Sequence, residues 1–179
     1  YLSKLKAVPS NLETFSFQFQ TLVLSFDVAL GKVRSIDPKQ MDWMTITGQV
    51  NTNDVVPNNK VEQMVEATQQ GKKLRLTWEH DANGRLHIFT VDSIRRGEEE
   101  STVLINWTGR PLDMDDKGTE QLRIPSLKDF TLMHFFVVQQ PEQYISLQFS
   151  DPLHETQEFK GLVKLGNTTD LKFTQDANE

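Results

Sequence analysis

KLRLTWEHDANGRLHIFTVDSI, residues 73–94, is two alternating apolar–polar runs on either side of Asn83-Gly84. Asn-Gly between such runs is the strongest short-range hairpin signal, because both residues tolerate the left-handed backbone of a tight hairpin turn. If those two residues are the whole turn, Trp78 faces Phe89, Leu76 faces Val91, Thr77 faces Thr90 and Arg75 faces Asp92. One face then carries Leu74, Leu76, Trp78, Phe89 and Val91, a core face. The other carries a Thr–Thr pair and an Arg–Asp pair, as a solvated face does.

The same period continues outward. In TFSFQFQ (14–20), Phe15, Phe17 and Phe19 share one face; in LVLSFDVAL (22–30) the apolar set moves to Leu22, Leu24, Phe26 and Val28. The change of face at Gln20–Thr21 calls for a bulge or a tight turn. WMTITGQV (43–50), TVLINW (102–107) and QLRIP (121–125) read as further strands, joined by the polar stretches RRGEEES (95–101) and LDMDDKG (112–118), which read as solvated turns. One segment has helical spacing. NKVEQMVEATQQG (59–71) places Val61, Met64 and Val65 at i, i+3, i+4, with Asn59 and Glu62 as a capping-box-like start and Gly71 as a stop. It reads as a three-turn insertion covering an edge or end of a sheet.

The chain has 179 residues, 37% of them hydrophobic, enough for one domain or one and a fraction. A net charge of −6 gives no attraction for nucleic acid. No run of 18 apolar residues occurs, and the start YLSKLKAVPS has no signal-peptide apolar region. The absence of cysteine excludes disulfides, thiol catalysis and cysteine metal sites.

The second half repeats the order of the first. FSFQFQ with LVLSFDVAL (15–30) corresponds to FTLMHFFVV (130–138) with YISLQFSDPL (144–153). ITGQV (46–50) corresponds to FKGLV (159–163), and LRLTWEHDANG (74–84) to LKFTQDANE (171–179). The period is roughly 115 residues, too long for a solenoid and suited to sandwich domains in tandem. The reading is therefore a linker over 1–11, a first sandwich over 12–127 and a second, incomplete one over 128–179. The chain would be a piece of a longer array.

QYISLQFSDPL, FKGLVKL and LKFTQDAN together resemble the macroglobulin-like domains of bacterial alpha-2-macroglobulins. The residues that carry the resemblance are Phe149, Ser150, Pro152, Gly161 and Val163. The first copy departs from the pattern, with Phe26-Asp27-Val28-Ala29 in place of Phe-Ser-x-Pro. The resemblance implies an exported, multidomain protein of the cell envelope, periplasmic or anchored to the outer membrane, that traps proteases when a bait segment is cut. Many members carry a Cys–Gln thioester in a Cys-x-Glu-Gln motif; this chain has no Cys, and no bait-like segment is evident. It would be scaffold, acting by packing.

Candidate chemistry is sparse. His80 and His87 face each other across the hairpin and read as an ordinary strand-end pair rather than two ligands of a metal site. Asp113, Asp115 and Gly118 have EF-hand-like offsets, but Lys117 and Ile124 occupy later ligand positions. Trp43, Trp78 and Trp107 lie in alternating strands and read as core rather than as a sugar-stacking platform. Asn106 and Asn167 head glycosylation sequons, and Asn106 lies within a strand. No nucleophile–base arrangement emerges.

The expectation is an all-β, immunoglobulin- or fibronectin-like sandwich with a short inserted helix and the start of a second sandwich. It has no catalytic, cofactor or metal residues. Its partners are neighbouring domains of a longer chain, proteases only through that whole protein, and in isolation a strand-exchanged dimer. The other function is a secreted or surface adhesion or carbohydrate-binding module, which would need an exposed aromatic platform.

Overall fold

The structure, a computed structural model, describes residues 22–37, 39–168 and 171–175 together with Gln18. The expected strand at Phe15–Phe19, the change of face at Gln20–Thr21 and the linker over 1–11 lie outside or almost outside these residues.

Strand β1 (Phe26–Leu30) and β2 (Arg34–Asp37) both pair antiparallel with the long β3 (Gln40–Thr52). β1 takes the later half of β3 and β2 the earlier half, so the two form one edge strand interrupted at Gly31–Val33. The interruption turns Val33 into the core. Beyond a one-turn helix, α1 (Asn58–Val61), come β4 (Val65–Gln69), β5 (Lys72–Lys73), β6 (Leu76–His80), β7 (Leu86–Arg95), β8 (Ser101–Thr108) and β9 (Lys117–Ile124). One sheet runs β1/β2–β3–β7–β6 and the other β5–β4–β8–β9. With β1/β2 counted as strand A, this order is the ABED sheet facing C′CFG, the connectivity of immunoglobulin-like sandwiches.

Alternation explains the core. Met44, Ile46 and Val50 of β3 and Phe89 and Val91 of β7 meet Val65 and Ala67 of β4, Val103 and Ile105 of β8 and Ile124 of β9, all buried. The hairpin that opens the reading has the expected register: Leu76 with Val91, Thr77 with Thr90, Trp78 with Phe89, His80 with His87. Its turn differs. Gly84 alone has positive φ (63°), and the Gly84 N–H bonds to Asp81 O at 3.1 Å while the Asp81 carboxylate accepts the N–H groups of Arg85 and Leu86. The Asp81 side chain stabilises a four-residue turn, so Asn83 has no need of the left-handed region.

Two glycines in strands lie under aromatic rings of the neighbouring strand. Gly48 is opposite Phe89, and Gly118 is opposite Trp107. A Cβ on either would sit 2.2 or 2.3 Å from the ring. The Gly-x-Val of ITGQV therefore has a packing reason: Gly48 accommodates the ring and Val50 is fully buried.

The inserted helix is corrected. Only Asn58–Val61 is helical; the N-cap is Pro57 and no side chain caps it. Val61, Met64 and Val65 are all buried, as helical spacing requires, but a turn followed by a strand with Val65, Ala67 and Gln69 facing inward satisfies the same positions. A single amphipathic turn is too short to repay helix nucleation against sheet pairing. Gln70 and Gly71, with φ 50° and 76°, are the turn of the β4–β5 hairpin rather than a helix stop.

After β9 the chain forms a separate two-stranded antiparallel sheet, β10 (Leu132–Val138) and β11 (Tyr144–Phe149). The expected strand of the repeat at 159–163 does not form: Phe159–Val163 is a turn closed by a Lys160–Val163 bridge; of the one expected over 171–179, residues 171–175 have no strand pairing and 176–179 lie outside the described residues. Gly161 has φ 85° and open space around it, unlike Gly48 under its ring. Among the described residues no strand lies beside this segment to hold it extended, which is the physical difference between the two copies.

Candidate functional site: the Arg96 junction

Arg96 follows the last residue of β7, inside the charged run RRGEEES, and its side chain is fully buried. This corrects the reading of that run as a solvated turn. The cause is a β-bulge. Ile46 pairs with Val91 and Met44 with Ile94, so β7 has one extra residue at Asp92–Ser93. The bulge moves the inward positions from His87, Phe89 and Val91 to Ile94 and Arg96. Arg95 then points outward, its guanidinium 5.8 Å from the Trp43 ring. Its backbone is gripped by the buried Gln69 side chain of the opposite sheet, which accepts the Arg95 N–H at 2.9 Å and donates to the Arg95 carbonyl at 2.6 Å.

The guanidinium of Arg96 organises everything that leaves the sandwich. Nε donates to the carbonyls of Pro125 and Ser126 at 3.2 and 3.1 Å. Nη2 donates to Ser126 O at 2.7 Å and Asp129 O at 2.8 Å. Nη1 reaches Ser150 O at 3.3 Å. The two terminal nitrogens also engage both oxygens of Asp151, at 2.6 and 3.0 Å, in a side-by-side fork. A buried charge is tolerated where paired and hydrogen-bonded, and here every N–H direction has an acceptor.

The Phe149-Ser150-Asp151-Pro152 turn is thus one wall of the site. The Ser150 hydroxyl lies 2.5 Å from Asp151 Oδ2 and accepts the Thr131 N–H at 2.9 Å. Phe149 stacks on Phe130 at 5.0 Å. The connecting loop closes on itself through Ser126 Oγ, which donates to Asp129 Oδ2 at 2.8 Å. An exposed Lys128–Glu98 pair lies at the rim; solvent screening leaves it little weight.

The hairpin docks with its polar face. Ser146, Gln148 and Ser150 are buried, and the Gln148 amide reaches Val33 O at 3.5 Å. The Lys32 ammonium sits 3.6 Å from the centre of the Phe136 ring. The opposite face carries Leu132, Phe135, Val137 and Ile145, all exposed, with Phe135 at 69%. Leu153, Phe159, Val163 and Phe173 lie against β11 around a cleft of about 480 Å³. No carboxylate or imidazole lines it.

The other candidates stay apart. His80 and His87 are hydrogen-bonded to each other, and among the described residues no three His, Asp or Glu side chains gather as metal ligands. Asp113 lies in a left-handed turn after Arg110–Leu112. Trp78 and Trp107 are half-buried against the core, whereas Trp43 is 37% exposed, a departure from its expected place in the core. Asn106 is exposed in β8 and accepts from Thr119 Oγ1, and Asn167 is exposed in a turn.

Arg96 and Asp151 were the residues that alternation missed. Their signal is parity counted through the bulge: Ile94 and Arg96 share a face.

These features define an immunoglobulin-like β-sandwich with a second, two-stranded sheet fastened to it through a buried arginine. No family model, no curated protein and no solved structure matches the chain.

Proposed function

We propose that the chain is a non-catalytic scaffold portion of an alpha-2-macroglobulin-like, protease-trapping protein of the bacterial cell envelope, and that its work is to hold successive domains at a fixed angle. The observation that carries this reading is the Arg96 junction. A flexible tether needs no buried guanidinium wrapped by its own linker, whereas a load-transmitting joint between domains does. The resemblance of the Phe149–Pro152 turn to the family pattern now has a mechanical content, since that turn supplies Ser150 and Asp151 to the joint.

The reversed amphipathicity of the β10–β11 sheet supports the same reading. Its polar face is buried against the sandwich and its apolar face is open. A sheet buries its apolar side in its own core, so the open side is the inner face of a second sandwich. The occupant we assign to it is the remaining strands of that domain in a longer chain, continuing from the joint. Proteases would meet this region only as part of the whole protein.

The test is the coding sequence on either side. A reading frame that continues through further sandwich domains to a Cys-x-Glu-Gln motif or a bait segment supports the trap. A frame that stops at Glu179 contradicts it and leaves a small binding protein that pairs through the open face.

One observation favours the carbohydrate-binding alternative: Trp43 is partly exposed. Its ring is approached by Arg95 and stands without a second exposed Trp. Acrylamide quenching should therefore report one accessible indole, and soluble glycans should leave its emission unchanged. A glycan-dependent shift lost in Trp43→Ala would favour the binding module.

A further inference from the structure

At the tip of the β6–β7 hairpin three titratable side chains form a chain that the scaffold reading does not use. His87 is fully buried. Its Nδ1 lies 2.8 Å from Nδ1 of His80, and His80 Nε2 lies 3.1 Å from Oε1 of Glu62, just past α1. His87 Nε2 is buried and has no hydrogen-bond partner. Trp78 stacks on the His80 ring, 5.9 Å away and nearly parallel.

The geometry limits the protons. Two Nδ1 atoms at this distance share one proton, with one ring donating and the other accepting. When His80 Nε2–H faces Glu62, His80 Nδ1 accepts, His87 Nδ1–H donates and His87 Nε2 is bare. If both rings become cations, two N–H groups meet head to head at a buried position, a costly arrangement that the weaker pull of the Gly84 carbonyl on His87 does not offset.

The same chain of contacts joins two segments. The tip bonds to the crossover between β3 and α1 through Thr52 N–H to Arg85 O at 2.9 Å and Val56 N–H to Gly84 O at 3.2 Å. The Arg85–Asp54 pair at 3.8 Å adds a solvent-exposed contact. We infer that Glu62, His80 and His87 form a proton-operated latch, which holds the hairpin tip, residues 81–85, against the β3–α1 crossover at neutral pH and releases it when both imidazoles are charged.

Glu62 faces His80 from the crossover side. Asp81 faces from the turn, its carboxylate held below the usual range by the Leu86 and Arg85 N–H groups. β3 presents Val50 opposite His87. Burial, then the neighbouring His80, push His87 below the ordinary histidine value; Asp81 and the Gly84 carbonyl oppose this more weakly. A histidine depressed in the folded state contributes stability that is complete above its unfolded value of 6.5 and is lost as pH falls below it. His134, half-buried beside Lys32 elsewhere in the chain, is shifted in the same direction, so a global melting curve alone would not isolate the latch.

The experiment is amide hydrogen exchange on the full chain at about pH 7.5 and about pH 5, corrected for intrinsic rates. The amides of Thr52 and Val56, which donate to the tip across the latch, are expected to lose protection on the order of tenfold more than those of β8 and β9. His80→Asn, which keeps a neutral polar partner for His87 and removes one titration, should make the tip insensitive over this range. Glu62→Gln, which touches only the exposed end of the chain, should move the midpoint in wild-type-like protein. Protection of Thr52 and Val56 that is independent of pH, or a dependence unchanged in His80→Asn, overturns the latch. Protection gained on adding Zn²⁺ at about pH 7.5, and lost in His80→Asn, would also overturn it by making the pair a metal site.

Discussion

Arg96→Met is expected to destabilise the chain by about 3–5 kcal/mol, the cost of breaking a buried ion pair from one side. The substitution keeps much of the apolar stem and removes all the donors. It takes the guanidinium from the carbonyls of Pro125 and Ser150, leaves those of Ser126 and Asp129 with only a longer bond each, from the Asp129 N–H and the Ser150 hydroxyl at 3.2 Å, and leaves the Asp151 carboxylate, 17% exposed, without its cation. Asp151→Asn should cost less, because four carbonyls still surround the guanidinium. Arg96→Lys should recover only part, since an ammonium has no planar fork to span Ser126, Asp129 and both Asp151 oxygens at once. Urea unfolding gives the magnitude. Hydrogen exchange gives the location: β10 and β11 amides should lose protection in Arg96→Met while β3 and β7 keep theirs. A loss of less than about 1 kcal/mol, the range of ordinary surface changes, would show that the junction is not held by this residue.

The second large effect lies in the core of the sandwich. Phe89→Ala should cost about 3–5 kcal/mol, through lost burial and the cavity left between the sheets. Gly48→Ala should cost about 1–3 kcal/mol, because its Cβ would meet Phe89 Cζ at 2.2 Å and the ring is fully enclosed. The two positions are coupled. In a Phe89→Leu background the ring edge is gone, and Gly48→Ala should become milder by about 0.5–3 kcal/mol in a double-mutant cycle by urea denaturation. Additive effects would mean that Gly48 serves the backbone of β3 and not the ring above it.

The sandwich was legible where alternation is simple. Leu76, Trp78, Phe89 and Val91 set the β6–β7 register, and that register survived even though the turn that closes it is built on Asp81. Val61–Val65 misled because i, i+3, i+4 spacing cannot separate a long helix from one turn running into a strand. FKGLV copies ITGQV in sequence but not in structure. A strand's conformation depends on the neighbours beside it, and Gly48 has Phe89 on β7 where Gly161 has open space. The junction was the least legible part. A one-residue bulge at Asp92–Ser93 reverses parity, and no composition rule distinguishes a buried Arg96 from the exposed Arg95 beside it. The open apolar face was partly visible, since Phe135 and Val137 alternate with His134 and Phe136. Which of the two faces docks was decided by Ser146, Gln148 and Ser150 on the partner strand.

A rigid joint is the claim on which the scaffold reading stands, and a distance distribution tests it most directly. The chain has no cysteine, so Thr77→Cys on β6 and Val137→Cys on β10, both exposed positions, can each carry a spin label without further substitutions. Pulsed dipolar spectroscopy should give one narrow distance in the otherwise wild-type chain and a broad distribution once Arg96→Met is added. A broad distribution with Arg96 intact would contradict the account, because the β10–β11 sheet would then be tethered to the sandwich and not fixed to it.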